Sequence, residues 1–372
     1  MSPVTPFCAQ DYAALAQDRL PAATWAWLES GGADELTANA NRNAYARLKL
    51  RSRVLRPLQG AHTRLELGTR TLAHPILIAP TAWHGLVHPE GERATAMAAA
   101  ATHTPLIVST QSGIAIETLA GLNPAPALWF QLYAQTRFED TLALAFRALK
   151  AGAKALVLTV DAPVNGARNV EQRSGFRLPP HIRSVHLQGL SPPHPRPAEP
   201  GGHPLFSTGL LEAAPTWDDV RRLRDALGTT PLWLKGILDP DDARLAIECG
   251  VDGIMVSNHG GRCLDTVPST LGALPDVAHS VRGQIPIVLD GGIRRGTDIL
   301  KALALGAHAV AIGRPILHAL AVGGATAVAH LIQILRGELE VAMALTGCRT
   351  LADVDSGVIW EPTRKVSDGR AA

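Results

Sequence analysis

The sequence predicts an α/β protein built as a (β/α)8 TIM barrel, and two observations support this fold class. Eight short apolar runs follow residue 75, and a segment with helical spacing lies between most of them, as expected for strands alternating with helices. The runs are Ile76–Ala79, Leu106–Val108, Ala127–Phe130, Ala155–Leu158, Leu232–Leu234, Gly253–Val256, Ile285–Leu289 and Ala307–Ile312. A doubly wound sheet is the alternative, but no G-x-G-x-x-G sequence opens a helix after the first run.

The second observation is that polar groups follow every run. The carboxyl ends of barrel strands meet at one face, so we expect these groups to form a single active site there. They are Pro80-Thr81-Ala82, Ser109-Thr110, Gln131 with Tyr133, Thr159 with Asp161, Lys235, Ser257-Asn258-His259, Asp290-Gly291-Gly292 and Gly313-Arg314.

Residues 1–75 are expected to add N-terminal helices and a hairpin to a single domain that spans residues 1–372. Residues 8–45 carry helical spacing, and Leu65–Leu72 alternates around a turn. Between the runs, helices are expected at Pro89–Thr102, Thr136–Lys150, Asp241–Cys249 and Thr297–Leu305. Pro89 suits a first helical turn, and Gly152, Gly250 and Gly306 suit helix C-caps.

The regular spacing breaks once, over residues 162–230, between the fourth and fifth runs. The middle of this segment, Leu190–Pro204, is dense in proline and glycine. We expect a long, extended Pro/Gly-rich loop after strand 4 at the mouth of the active site. It is either a lid over the site or a passive insertion.

Composition narrows the functional classes. The chain has 372 residues, 46% hydrophobic and 18% charged, and its net charge of +2 is not gathered into basic blocks, which argues against nucleic-acid binding. The four cysteines are scattered without metal-ligand spacing and are expected to be free thiols, with no metal site. The apolar stretch His318–Leu335 contains histidines and glycines, which favours a buried helix over a membrane span. We expect a soluble, cytoplasmic protein without a signal peptide.

Two constellations carry the chemistry. His259 and Arg262 emerge together after the run Gly253–Val256, where a base and a fixed cation suit an acidic substrate that loses a proton, although a polar turn also explains them. The loops after the last two runs contain glycines beside Arg294 and Arg314, a pattern typical of a phosphate site in a barrel. In that site Gly292 and Gly313 would let the backbone close on the anion, and Asp290 of the same motif would contact the ligand. Two glycine-rich barrel turns with surface arginines are the alternative.

Taken together, these motifs resemble the FMN-dependent 2-hydroxy-acid oxidase and dehydrogenase family, whose members oxidise glycolate, lactate and mandelate. The resemblance covers about residues 8 to 350. It rests on Ser30-Gly31, Asn41-Arg42-Asn43, Ala79-Pro80-Thr81-Ala82, His88-Pro89-Glu90-Gly91-Glu92, Phe130-Gln131-Leu132-Tyr133, Leu158-Thr159-Val160-Asp161, Lys235-Gly236, Ser257-Asn258-His259-Gly260-Gly261-Arg262, Asp290-Gly291-Gly292-Ile293-Arg294-Arg295-Gly296 and Gly313-Arg314-Pro315.

The resemblance implies FMN as cofactor and a role for each site residue. His259 is the implied base and Asp161 its carboxylate partner, Arg262 and Arg168 bind the substrate carboxylate, and Tyr133 hydrogen-bonds the substrate. Lys235 is implied to stabilise negative charge on the reduced flavin. The remaining flavin contacts implied by the resemblance are Ala82, Ser109, Gln131, Thr159 and Ser257, and the phosphate is implied to be that of FMN.

Three positions depart from the family pattern. Trp27 stands where the family usually has a tyrosine that contacts the substrate carboxylate, and Trp83 occupies another position that shapes the substrate pocket. The two rings would either block small substrates from binding well or stack on an aromatic one, so an aromatic or bulky 2-hydroxy acid is one expected substrate. Asn165–Arg168 is similar to mandelate-oxidising members. Cys263 replaces a usual glutamine, and we interpret it as a small buried thiol.

The expected activity is oxidation of an (S)-2-hydroxy acid to the 2-oxo acid, with O2 reoxidising the flavin and giving hydrogen peroxide. A dehydrogenase that passes electrons to another acceptor is an alternative. Two others are a flavin-holding protein weakened by Trp27 and a different phosphate-binding barrel enzyme, such as an isomerase. The resemblance also implies a homotetramer.

Overall fold

The computed structural model describes residues 5–68, 70–190, 201–208, 210–211 and 214–360. Its strands are β1 (Lys49–Leu50), β2 (Leu65–Leu67), β3 (Arg70–Leu72), β4 (Ile76–Ile78), β5 (Leu106–Ser109), β6 (Leu128–Leu132), β7 (Leu156–Thr159), β8 (Leu232–Ile237), β9 (Gly253–Val256), β10 (Ile287–Asp290), β11 (Ala309–Ile312) and β12 (Ile359–Trp360). Strands β4 to β11 are parallel and close into a barrel in chain order, with β11 pairing with β4. The predicted eight-stranded barrel is confirmed.

Twelve helices accompany the strands within the described residues. They are α1 (Ala9–Arg19), α2 (Ala22–Glu29), α3 (Leu36–Arg47), α4 (Gly91–Ala101), α5 (Ile116–Ala120), α6 (Phe138–Lys150), α7 (Asn169–Arg173), α8 (Trp217–Leu227), α9 (Pro240–Glu248), α10 (Thr270–Val281), α11 (Gly296–Ala304) and α12 (Arg314–Thr346). The predicted N-terminal helices and the hairpin β2–β3 are present. The single-domain prediction for residues 1–372 stays a prediction.

The barrel strands are apolar because both of their faces are covered. One face packs against the helices, and the other fills the barrel with a separate cluster that includes Trp129 and Trp233, whose rings lie 5.1 Å apart. Leu67 and Leu72 of the hairpin join that inner cluster. The hairpin directly precedes β4, so it covers the amino end of the barrel and leaves the carboxyl end to the loops.

One local prediction needs correction. Helix α4 begins at Gly91, with Glu90 as its N-cap, so Pro89 lies in the turn before the helix rather than in its first turn. The long loop after β7 contains α7 and a short 3-10 turn at Val185–Leu187, and the prediction of an extended middle stays a prediction. Most of the proline-dense stretch, residues 191–200, lies outside the described residues. Gly152, Gly250 and Gly306 do follow helices with positive φ, as predicted.

Helix α12 is long and apolar enough to cross a membrane by length and composition alone. In the structure, 61% of its most apolar window is buried. It packs against α1, α4 and α11, and its path breaks at Gly323 and Gly324, which have non-helical dihedral angles. These contacts are those of a helix in a protein core.

Candidate active site

A cavity of about 690 Å³ opens at the carboxyl end of the barrel and receives residues from all eight strand exits. The predicted site residues that line it are Trp27, Ala82, Trp83, Ser109, Gln131, Tyr133, Thr159, Arg168, Lys235, His259, Arg262, Asp290, Gly292, Arg294, Gly313 and Arg314. Asp161 and Ser257 do not line the cavity. They form hydrogen bonds with His259 and Lys235, respectively, which do line it. The structure therefore brings nearly all of the predicted residues to one place.

The turn after β9 directs His259 into the cavity. His259, Gly260 and Gly261 all have positive φ, at 57°, 65° and 75°, a conformation that is unusual for a histidine and common at functional sites. A Cβ atom on Gly261 would lie 2.5 Å from the backbone nitrogen of Ala38, so only glycine lets this turn pack against α3. Asn258 and Asn41 exchange two side-chain hydrogen bonds of 2.8 and 2.9 Å, which fix the same contact.

Asp161 orients the histidine ring. Its Oδ1 lies 2.9 Å from His259 Nδ1, and because a carboxylate only accepts, Nδ1–H donates and Nε2 is left for other partners. Burial raises the pKa of Asp161, but Lys235 and the hydrogen bond from His259 lower it by more, so the carboxylate stays ionised. The hydroxyl of Tyr133 lies 3.5 Å from Nε2, and burial raises its pKa to about 12. The site therefore holds an oriented base beside a neutral hydroxyl donor.

Lys235 is a buried cation held by two strand-end residues. Its Nζ donates 2.8 Å to Ser257 Oγ and lies 3.2 Å from Asp290 Oδ2. Burial lowers the pKa of Lys235, yet Asp290 and Asp161 raise it above the ordinary value, so the ammonium stays charged. Ser257 is fully buried and also accepts a hydrogen bond from the backbone N–H of His259. Ser257 thus supports Lys235 and His259 from behind the cavity wall, and its implied contact with the flavin stays a prediction.

A polar row crosses the cavity floor from β5 to β8. Ser109 pairs in register with Gln131, and Thr159 pairs in register with Lys235. The Gln131 amide joins the two pairs, since its Oε1 accepts from Ser109 and its Nε2 donates to Thr159. The row presents aligned hydroxyl, amide and ammonium groups, which suit the polar edge of a planar ligand.

Arg262 and Arg168 face each other across the substrate end of the cavity, with Glu171 between them. Arg262 Nη1 donates to the backbone oxygens of Trp27 and Ser30, both at 2.8 Å, at the end of α2. Burial, together with the nearby Arg314 and Arg168, lowers the pKa of Arg262 to about 9. This electrostatic cost is reduced when an anion binds.

Arg168 is positioned by close backbone packing between two loops. A Cβ atom on Gly166 would lie 1.8 Å from the carbonyl oxygen of Cys263, so the loop after β7 rests directly on the loop after β9. The backbone N–H of Ala33 donates 2.7 Å to Ala167 O and ties the same segment to the end of α2. These contacts bring Arg168 beside Arg262.

One wall of the cavity is aromatic. Trp27 stacks on Phe176 at 5.6 Å and lies 5.9 Å from Trp83 at a tilt. The indole N–H of Trp83 donates 3.0 Å to Ser184, so this ring is fixed. Phe176 was missed from the sequence, because a lone phenylalanine inside an irregular loop carries no periodic signal.

The part of the cavity formed by the loops after β10 and β11 suits an anion. The N-terminus of α11 does not contribute, because it is capped by protein carboxylates: Asp298 accepts from the backbone N–H groups of Arg294 and Arg295, and Glu338 accepts from that of Gly296. The N-terminus of α12 has no side-chain cap. The backbone N–H groups of Gly292 and Gly313 have no acceptor among the described residues.

Arg314 also lines this part of the cavity and is held rigidly. Its guanidinium donates to the backbone oxygens of Leu28, Gly260 and Ser30 at 3.0 to 3.1 Å. Because a guanidinium has five N–H groups, one N–H remains on each terminal nitrogen. Arg294 is half-buried, and desolvation lowers its pKa to about 10. Both arginines are therefore poised to bind an anion.

Cys263 lies beside the catalytic pair and is partly buried, and all four cysteines are free as predicted. Its sulfur is within 4.8 Å of ligand atoms of Asp161 and His259. Burial raises its pKa to about 11, so the thiol is protonated near neutral pH and is a poor metal ligand. The expectation of no metal site stays a prediction.

Comparison with known proteins agrees with this geometry. Residues 16–361 match the family described as FMN-dependent dehydrogenase. The chain is 45% identical to an L-lactate oxidase of Roseobacter sp., covering 94% of this chain and 93% of that protein, and 46% identical to an L-lactate oxidase of Nostoc sp., covering 96% and 98%. A crystal structure of mandelate oxidase with (S)-2-phenylpropionate superposes with a TM-score of 0.85 at 36% identity, covering 96% and 98%. The chain belongs to the FMN-dependent dehydrogenase family.

Proposed function

We propose that this protein uses FMN to oxidise an (S)-2-hydroxy acid to the 2-oxo acid, with O2 as the electron acceptor and hydrogen peroxide as the second product. The observation that carries the proposal is the His259–Asp161 pair at 2.9 Å, which shares one cavity with Arg262, Arg168 and Lys235. Relatives at 42 to 46% identity are L-lactate oxidases and a peroxisomal (S)-2-hydroxyacid oxidase of Arabidopsis thaliana.

The residues present fit FMN. Gly292, Gly313, Arg294 and Arg314 would hold the phosphate, through free backbone N–H groups and guanidinium groups. Asp290 Oδ1 is buried without a partner beside the cavity, where a ribityl hydroxyl could donate to it. The row Ser109, Gln131, Thr159 and Lys235, together with the backbone of Ala82, would hold the ring. When bound, FMN accepts two electrons from the substrate.

The protein residues then have separable tasks. Arg262 and Arg168 bind the substrate carboxylate and fix the orientation of the hydroxyl-bearing carbon. Tyr133 donates a hydrogen bond to the substrate. His259 Nε2 takes the proton released during oxidation, and Asp161 stabilises the resulting imidazolium. Lys235 stabilises the negative charge that arises at the polar edge of the ring.

The aromatic wall bears on substrate choice. Trp27, Trp83 and Phe176 pack on one another, so they limit the width of the substrate end, which favours a small aliphatic acid such as lactate. Stacking of an aryl substrate on the same rings is the second candidate, and the mandelate oxidase neighbours support it. We also propose a cytoplasmic protein that is not membrane-bound, is homotetrameric and does not bind nucleic acid.

The test is a substrate panel on the purified holoprotein. Anaerobic addition of (S)-lactate, glycolate or (S)-mandelate is expected to bleach the flavin, and readmitted air to restore it with one peroxide per turnover. Flavin that stays reduced in air for minutes supports a dehydrogenase instead. No bleaching with any acid supports a flavin-holding protein, and a colourless protein without extractable FMN refutes the proposal.

A further inference from the structure

Glu171 lies between Arg168 and Arg262, the two arginines that would bind the substrate carboxylate and that we call the carboxylate clamp. It lies in the first turn of α7, three residues after Arg168, so the helix brings the two side chains to the same face. Its Oε2 is 3.4 Å from Arg168 Nη1 and 3.6 Å from Arg262 Nη2. All three side chains line the cavity. A protein carboxylate thus already contacts the groups that would bind a substrate carboxylate.

The charges at this end of the cavity can be counted. Arg168 and Arg262 contribute two positive charges, and Glu171 offsets one of them. The three side chains are only 15 to 21% exposed, so solvent screens them weakly. Arg168 Nε is buried without a partner, which shows that Glu171 does not satisfy the clamp completely. The pair Arg168–Arg262 with Glu171 therefore carries a net charge of about one, which matches a single substrate carboxylate. The neighbouring Arg314 is held by the backbone oxygens of Leu28, Gly260 and Ser30.

We propose that Glu171 is a specificity-determining residue that restricts the clamp to monocarboxylates. A substrate with a second carboxylate brings a negative charge that Arg168, Arg262 and Glu171 together do not balance, and Glu171 repels it. The neighbouring Arg314 is assigned to the FMN phosphate. The aromatic wall formed by Trp27, Trp83 and Phe176 gives that second carboxylate no opposite charge. This inference rests on the proposed function, because it concerns the substrate of the same site.

The test compares Glu171→Gln with wild type in anaerobic flavin reduction. The substrates are lactate, malate (lactate with a carboxylate added) and 2-hydroxy-4-methylpentanoate, whose isobutyl group is a neutral match for the carboxymethyl group of malate. For each acid, the second-order rate constant of flavin reduction is measured. In Glu171→Gln, the ratio of this constant for malate to that for lactate is expected to rise by about ten-fold or more, because one weakly screened charge has been removed. The ratio of 2-hydroxy-4-methylpentanoate to lactate is expected to stay within about two-fold, because the shape of the site is unchanged.

Two controls separate charge from folding. Glu171→Asp retains the charge and is expected to keep discriminating against malate. Glu117→Gln removes a carboxylate from an exposed pair with Arg147 and is expected to change neither ratio. Bound-flavin absorbance reports whether each variant folds. An unchanged malate-to-lactate ratio in a folded Glu171→Gln variant overturns the proposal.

A binding measurement keeps this test independent of turnover. Propionate and succinate differ by one carboxylate, and their binding is followed by perturbation of the flavin spectrum. Glu171→Gln is expected to gain affinity for succinate over propionate by about ten-fold. If no hydroxy acid reduces the wild-type flavin, the proposed function fails, while this binding ratio still decides the role of Glu171. Equal ratios in variant and wild type refute it.

Discussion

Replacing Asp161 by asparagine tests how the catalytic base is supported. The carboxylate is 11% exposed and lies 2.9 Å from His259 Nδ1, so it stabilises the imidazolium that forms as the substrate loses its proton. Opposite charges about 4 Å apart at an effective dielectric constant of roughly 20 interact by about 4 kcal/mol. Lys235 shares the charge of Asp161, which reduces its effect on the histidine. A loss of about 3 kcal/mol corresponds to a flavin reduction rate lower by about 10²-fold.

The assay is anaerobic stopped-flow reduction of the bound flavin at saturating (S)-lactate. Asparagine can still accept the Nδ1–H, so the orientation of the ring is retained and the substrate dissociation constant is expected to change little. Asp225→Asn, at an exposed position on α8, serves as the matched control and is expected to reduce at the wild-type rate. A reduction rate in Asp161→Asn within about two-fold of wild type refutes the reasoning, because such a change is under about 0.5 kcal/mol.

Three other predictions follow from packing and charge. Gly166→Ala places a methyl group against Cys263 O, so it is expected to displace Arg168 and raise KM for lactate more than it lowers kcat. Phe176→Ala removes a ring stacked on Trp27 and is expected to raise activity on mandelate relative to lactate, measured as kcat/KM. Burial raises the pKa of Glu29, but its hydrogen bond with His318 lowers it to about 2. The stability this provides is present above pH 4.5, the ordinary pKa, and is lost as the pH falls towards 2. Urea unfolding at several pH values is expected to show this loss, about 3 kcal/mol, and Glu29→Gln to remove it.

The barrel could be predicted because the burial of its strands leaves a recognisable pattern of apolar and polar residues in the sequence. Each barrel strand is covered on both faces, so it appears as a continuous apolar run, and the polar group after it marks the carboxyl end. The glycines after α6, α9 and α11 adopt positive φ, which is the reason they are glycine. Ends of elements were less predictable: α4 starts after Pro89 because Gly91 and Glu90 form the turn that begins it.

The site could be predicted as a set of residues but not as a set of contacts. His259 leaves the strand in a left-handed conformation, so the alternation that would tell which side chains face the cavity ends there. The hydrogen bond from Lys235 to Ser257, for example, could not be predicted from the sequence. Glu171 and Phe176 lie in an irregular segment whose path depends on backbone contact between distant loops. For Glu171, the spacing of three residues from Arg168 was the only feature of the sequence that could have indicated their ion pair.

The central claim is that His259 takes a proton from a hydroxy acid held by Arg262 and Arg168. The most direct measurement is single-turnover flavin reduction in His259→Gln, mixed anaerobically with (S)-lactate and compared with wild type. The variant is expected to bind FMN with an unchanged spectrum and to be reduced at least about 10²-fold more slowly, as for loss of a general base. Reduction at the wild-type rate would contradict the account.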